Sequence, residues 1–318
     1  MLKHAVLLLA LAVSHVAAAA AAKSHSRTQS DKYAAWSTQA TQVLSARADA
    51  DSLATAAALS AVGSLAALDL AARASELAPQ DSGIGWLRLQ LCGQSPACDM
   101  RDIATIMRWV DPDNAAAWLP TLAAAQRDKD TTEVDRVLAD MAREAHFDFY
   151  WNRLVILMFD ALDAVRSELS GSYAGSDSAR YGAVNGIANS TLIPPLTPLL
   201  DACRESAALP ERRDPCLKLS KTMQRGDTII AQLMGFGIEK RLLAPDSKEA
   251  RAIAERRRVL EWRVTAAAKF DDPLLPWTKN ARARARIAQM RKLPREEDVC
   301  IAILREHKMA LEPPEVHP

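Results

Sequence analysis

Aromatic residues, glycine and histidine are scarce in this chain. Only 5% of its 318 residues are Phe, Trp or Tyr, only 11 are glycine and only six are histidine. The motifs built on such residues are missing as well: a G-x-S-x-G nucleophile elbow, a phosphate loop, a dinucleotide fingerprint and an H-E-x-x-H zinc helix. The sequence therefore predicts no cofactor, no metal site and no catalytic residues of a recognised class.

Long apolar runs and β-strand patterns are also lacking. Alanine dominates the 49% apolar fraction, and it is the strongest helix former. No run approaches the roughly 20 apolar residues that cross a bilayer, so no transmembrane segment is predicted. Asp130 and Asp246, each followed by glutamate at the third position along, are typical of helix starts. We expect an all-α fold in which a helical hairpin array is followed by an irregular, disulfide-stapled helical bundle.

The amino-terminal segment 1–22 has the layout of a cleaved secretory signal. Lys3 and His4 precede an apolar run over residues 5–13 and a stretch of small residues over 17–22. No cysteine follows the run, which disfavours a lipid anchor. We expect cleavage near Ala22 and a periplasmic or secreted protein, with a buried amino-terminal helix as the alternative.

Five cysteines are present, and four of them form two close pairs. Cys92 and Cys98 flank one turn, and Cys203 and Cys216 flank another, so a disulfide in each pair would staple two helical stretches. Such staples are typical of oxidising compartments. We predict both bridges, and we expect Cys300, which lies in an apolar helical context, to be a small buried hydrophobe.

Tryptophan recurs at a regular interval in the first half. Trp86, Trp118 and Trp151 follow one another at nearly equal spacing, and each lies near the start of a helical stretch. Pro79 and Pro112, which lie at two of the preceding junctions, repeat that spacing. A period of about 34 residues with two helices per unit is the tetratricopeptide-repeat arrangement.

Residues 50–165 resemble that family. In that family the second helix of a unit carries small residues and, late in the helix, a hydrophobic residue, and a proline closes the unit. Ala67 and Ala74 match the small residues, Leu77 the hydrophobic residue and Pro79 the closing proline. Residues 111–118, Asp-Pro-Asp-Asn-Ala-Ala-Ala-Trp, are similar to a repeat junction, whereas the family's Gly and Tyr positions are missing and the third junction, 143–146, has no proline. The resemblance implies stacked helix pairs whose concave surface binds a peptide or protein partner.

Charge divides the chain into two unlike parts at the Gly/Ser-rich stretch 170–178. Residues 23–170 carry 14 basic and 20 acidic side chains, whereas residues 171–318 carry 25 and 19. Opposite charges on two parts can steer a partner or attract one part to the other. We predict a signal peptide at 1–22, a repeat-like region at 23–170 and a basic helical region at 171–318.

Two basic helices, near 246–269 and 278–292, are candidates for contact with an anionic surface. Arg258 and Trp262 are one turn apart, where a cation–π contact is feasible. Anionic lipid, lipopolysaccharide or a cell-wall polymer would suit such helices, although a solvated helix face is the simpler interpretation. Nucleic acid is not expected, because no recognised binding module frames the arginines. The candidate residues on these helices are Arg256, Arg257, Arg258, Trp262, Arg284 and Arg286.

His146 precedes an aromatic cluster, residues 147–151, that is either a groove wall or a set of core aromatics at a repeat junction. Trp118, Phe149 and Trp151 are the candidate binding residues of the first half. The leading hypothesis is an exported, non-catalytic protein that binds a peptide or protein partner in the cell envelope. The alternatives are the anionic-surface binder and an enzyme of unrecognised mechanism, for which His146 or His307 would have to lie in a polar pocket.

Overall fold

The computed structural model describes residues 31–204, 209–270 and 280–314. Within these ranges the chain forms α-helices joined by turns and short 3₁₀ segments, and the described residues contain no β-sheet. The all-α prediction is confirmed. The predicted signal peptide, residues 1–22, lies outside the described residues.

Eight helices precede the Gly/Ser-rich stretch. They are α1 (31–45), α2 (Ala50–Leu59), α3 (Leu65–Leu77), α4 (Ser82–Gly93), α5 (Met100–Val110), α6 (Leu119–Arg127), α7 (Thr131–Met141) and α8 (Trp151–Ala164). Consecutive helices pack on each other in this half, α2 on α3, α3 on α4, α4 on α5 and α6 on α7. Paired, stacked helices agree with a hairpin array, and the tetratricopeptide resemblance stays a prediction.

Another eight helices follow in the described part of the second half. They are α9 (Ser172–Gly175), α10 (Asp177–Thr191), α11 (Thr197–Arg204), α12 (Arg213–Met223), α13 (Ile229–Leu242), α14 (Lys248–Ala268), α15 (Asn280–Met290) and α16 (Glu296–Glu306). The short helix α9 lies inside the stretch that the sequence analysis treated as a break.

Helix starts follow the capping residues. Asp130 accepts a hydrogen bond from the backbone N–H of Glu133 at 3.0 Å and begins α7, as predicted. At α14 the cap is Ser247, which accepts from Ala250, and the predicted cap Asp246 instead adopts a left-handed backbone conformation one residue earlier. A 3₁₀ turn, Ala115–Trp118, precedes α6, and Pro120 lies in the first turn of that helix, where its missing N–H leaves no hydrogen bond unmade.

The hydrophobic core crosses the proposed boundary at 170–178. One cluster of buried side chains extends from Trp36 to Leu304 and includes residues of both halves. Trp86, fully buried on α4, stacks on Phe149 with ring centroids 5.4 Å apart, and its indole N–H donates to the carbonyl of Leu192 in the second half. The two unlike halves therefore share one core in the described part of the chain.

Both predicted disulfides are present. Cys92–Cys98 joins the end of α4 to the turn before α5, and Cys203–Cys216 joins α11 to α12. In the chain-entropy model a bridge across a loop of this second size contributes about 3 kcal/mol. Such bridges are typical of proteins outside the reducing cytosol. None of the described helices combines the length and apolar character needed to cross a bilayer.

Candidate functional site

The three aromatic candidates of the first half occupy different environments. Phe149 is fully buried and Trp151 is 5% exposed, so both belong to the core and their assignment to a binding surface was wrong. Trp118 is half-buried: its indole N–H donates to Glu144, and the guanidinium of Arg108 lies 4.4 Å from its ring centroid. Of the three, only Trp118 presents part of its ring to solvent.

The arginines of the basic helices contact acidic side chains of this chain. On α14, Arg257 pairs with Glu261 and Arg258 with Glu255, while Arg256 lies 3.7 Å from Glu239 and over the ring of Phe236. Trp262 donates to the carbonyl of Ala310 instead of meeting a guanidinium. These contacts pair the arginines and Trp262 with groups of this chain. They agree with a solvated helix face, the simpler of the two interpretations given for this helix.

On α15 the two candidates differ. Arg284 pairs with Asp177 at the start of α10. Arg286 is fully buried and lies 3.0 Å from Glu306 of α16, so it cannot contact an external surface and its assignment was wrong. The physical reason is that α15 is packed on α10, α8 and α16, which leaves few of its arginines facing solvent.

His146 lies at a polar junction between the two halves. Its Nε2 is 3.2 Å from Asp111 and its Nδ1 is 3.1 Å from Asp148. Hydrogen bonds to Asp111 and Asp148 raise the pKa of His146 to about 10. The imidazole is therefore protonated at neutral pH and cannot serve there as a general base.

The same junction holds two carboxylates that cap helices. Asp227 accepts hydrogen bonds from the backbone N–H groups of Phe149 and Trp151 at the start of α8, at 2.8 and 3.0 Å. Glu296 accepts from Ile229 at the start of α13. Burial, together with repulsion from Asp148 and Glu296, raises the pKa of Asp227 to about 7, and burial raises that of Glu296 to about 7.

The backbone at this junction is constrained. Tyr150 has φ 55° and ψ 32°, a left-handed conformation that is uncommon for a residue with a side chain. Its hydroxyl donates to Asp111, and burial followed by that hydrogen bond raises the pKa of Tyr150. Gly226 has no room for a side chain, because a Cβ there would lie 2.5 Å from the carbonyl oxygen of Phe147. These contacts keep residues 147–150 outside a helix, and α8 begins at Trp151.

A groove of about 540 Å³ is lined in part by α4. Other lining residues come from the disulfide turn that follows α4, from the 3₁₀ turn and the first part of α6, and from the segment between α10 and α11. Side chains without charge form most of the lining, and they include Trp86, Leu89, Met100, Ala123, Pro194 and Pro195. We call this the proline-walled groove.

Two hydrogen bonds fix the proline segment in place. Trp86 of α4 donates to the carbonyl of Leu192 at 3.1 Å, and Gln126 of α6 donates to the carbonyl of Pro198 at 2.7 Å. The two prolines between them have restricted backbone angles and no N–H groups. This part of the groove is therefore preformed, with little conformational freedom to lose when the groove is occupied.

The groove contains a buried amide with an unused donor. Gln90 is 5% exposed and lines the groove, and its Nε2 has no hydrogen-bond partner within the described ranges. Leaving a buried donor unpaired costs about 1–3 kcal/mol. Asp99, Arg101 and Arg127 supply charge at the rim. The arrangement suits a largely apolar, extended segment that brings a carbonyl to the buried amide.

This groove was not predicted from the sequence. The disulfide turn was predicted, but no sequence pattern indicated that it lies near Pro194 and Pro195. Residues far apart in the chain make the contact, as Trp86 and Leu192 do, and no periodic pattern encodes it. No protein-family model matches this chain, and no curated protein or solved structure shows significant similarity to it.

Proposed function

We propose that the protein is an exported helical binding protein that holds an extended, apolar segment of a peptide or protein partner in the proline-walled groove. The single observation that carries the proposal is Gln90, whose amide is buried in a preformed apolar groove with a donor unpaired. A peptide backbone supplies carbonyl acceptors at regular intervals, and its apolar side chains would cover Met100, Ala123 and Pro195.

The local architecture favours the same class of ligand. Helix pairs stacked side by side, as in the tetratricopeptide family that the sequence resembles, present extended surfaces to linear segments. The rim adds charge selectivity, because Arg101 is paired with Asp99 at 3.1 Å whereas Arg127 is an exposed cation with no ion pair among the described residues. We therefore expect the bound segment to be apolar with an acidic residue at one end.

The test begins with selection of peptides from a random library on the purified, oxidised protein, followed by affinity measurement by calorimetry. Ala123 is partly exposed inside the groove, and the variant Ala123→Arg places a long charged side chain there. We expect this variant to weaken binding of a selected peptide about 30-fold or more, since the groove is filled.

Ala66→Arg is the matched control, because Ala66 is an exposed alanine on α3 and is outside the groove lining. The control variant should bind like the wild type. Equal affinity of the wild type and Ala123→Arg, with both folded by circular dichroism, would refute the groove as the binding site.

A further inference from the structure

A second cleft, of about 560 Å³, lies at the polar junction and is separate from the proline-walled groove. Residues of both halves line it: the starts of α2, α4 and α8 on one side, and the turn before α13 with the end of α15 on the other. We call it the junction cleft. A ligand seated there would touch both halves.

Acidic groups are in excess in the junction cleft. Five aspartates line it, and Arg153, Arg291 and Lys292 are the basic groups of the lining. Arg153 pairs with Asp81, and Arg291 pairs with Asp160. The carboxylates beyond those two pairs are Asp51, Asp148 and Asp227.

Two of these carboxylates, Asp51 and Asp227, lie where burial and neighbouring carboxylates disfavour negative charge. Partial burial, with repulsion from Asp81 and Asp49, raises the pKa of Asp51. Asp148 lies 3.1 Å from Nδ1 of His146, and it also accepts a hydrogen bond from the backbone N–H of Asp227 at 3.0 Å. A cation entering the cleft would relieve this repulsion.

Asn152 supplies an independent sign of a ligand. It is 3% exposed and lines the same cleft, and its Nδ2 donates to the carbonyl of Leu293 at 2.7 Å. That bond fixes the orientation of the amide, because a carbonyl requires a donor. The remaining atom, Oδ1, is buried and has no hydrogen-bond partner in the described part of the chain. A buried acceptor beside carboxylates calls for a ligand that carries donors.

The rest of the lining is apolar. Ile156, Leu157 and Met290 face the cleft, together with the ring of Tyr150. Such surfaces suit a hydrocarbon chain, and an aromatic ring also attracts a cation. The described residues hold no cluster of three or more His, Cys, Asp and Glu side chains arranged as metal ligands. The lining therefore matches a cation that has an alkyl stem.

We propose that the junction cleft binds an alkylammonium group, the chemistry shared by a lysine side chain and a free aliphatic diamine. The ammonium has three donors for Asn152 Oδ1 and for carboxylate oxygens of the cleft, Asp51 among them, and the stem packs on Ile156, Leu157 and Met290. The peptide in the proline-walled groove is not needed for this binding.

The probes are 1,5-diaminopentane and a short acetylated peptide with one central lysine, each titrated into the oxidised, full chain by calorimetry. Binding of the diamine assigns the site to a free amine. Binding of the lysine peptide alone assigns it to a protein side chain. Sodium and magnesium chloride at matched ionic strength are the controls. Absence of binding by both amine probes, or an equal response to magnesium, would overturn the proposal.

Two surface variants test the position. Asp51→Asn removes a carboxylate from the rim and should weaken binding of whichever probe binds about fivefold, while Lys292→Gln removes a competing cation and should tighten it about threefold. Both residues are exposed, so the fold should be unaffected. Asp69→Asn, an exposed aspartate on α3 outside the cleft lining, is the matched control. Identical affinities for all three variants would place the amine elsewhere and overturn the proposal.

Discussion

Replacing Arg180 by leucine is expected to lower the free energy of unfolding by about 3–5 kcal/mol. Arg180 on α10 is fully buried, and its guanidinium donates to Asp177, to Asp163 of α8 at 3.0 Å and to the carbonyl of Ala174 at 2.5 Å. Leucine would leave Asp177, itself 4% exposed, with Arg284 as its remaining basic partner and would remove the donor to the buried carbonyl of Ala174. Urea denaturation followed by circular dichroism measures the loss.

Arg166→Leu provides a matched control for that variant. Arg166 also faces Asp163, at 3.7 Å, but half of its side chain is exposed to solvent. Exposed ion pairs contribute little, so the change should be within about 0.5 kcal/mol. If the two leucine variants were equally stable, the buried guanidinium would not be what holds α10 to α8.

The protein should lose stability as the pH rises from 5 to 7.5, by about 5 kcal/mol in total for two buried carboxyl groups. Asp227 and Glu296, each with a pKa near 7 in the folded chain, hold protons that the unfolded chain releases near pH 4. Between these two pKa values the folded state therefore binds more protons than the unfolded state, and the free energy of unfolding falls as the pH increases. The loss should be complete slightly above pH 7 for these two groups.

His146 changes stability in the same direction over a higher range. Its pKa of about 10 exceeds the unfolded value, so its contribution is fully present below about pH 6.5 and disappears as the pH passes 10. One-third of the side chain is exposed, and solvent reduces the size of this effect. The groups that face Asp227 from neighbouring elements are Asp148, with its partner His146, and Glu296.

Urea midpoints measured at intervals from pH 5 to 9 test this expectation. Asp227→Asn retains one acceptor for the start of α8 but cannot titrate, and it should reduce the pH slope between 5 and 7 by about half, since Glu296 still titrates. Asp201→Asn is a suitable control because Asp201 lies on α11, away from the junction. Stability that increases from pH 5 to 7 would contradict the assignment of raised pKa values to the two buried carboxylates.

Much of the helical architecture could be predicted because its signals are local. Alanine-rich amphipathic stretches and capping residues indicated the helices, and the short cysteine spacings indicated both disulfides. The errors occurred where a distant contact decides the local structure. Residues 147–150 stay outside a helix, because the chain at 113–115 exchanges backbone hydrogen bonds with residues 145 and 146. Asp227 accepts from the backbone N–H groups of Phe149 and Trp151, and α8 begins at Trp151.

The functional residues were harder to predict for the same reason. Phe149 and Trp151 are aromatic in a helical repeat, and sequence alone cannot distinguish a groove wall from a core. Both side chains are buried, so the structure places them in the core. Gln90 gave no signal, because an isolated glutamine in a helix is ordinary until its neighbours are known. Charge partition indicated two halves, yet α8, α10 and α15 pack across the boundary and share one core.

Methyl NMR of the oxidised protein can locate the peptide that we propose to bind in the proline-walled groove. With methionine methyl groups labelled, addition of a selected peptide should shift the signal of Met100, which lines the groove. The signal of Met290, which lies in the junction cleft, should be unchanged. A titration that shifts Met290 or other methionines while Met100 stays in place would contradict the proposal.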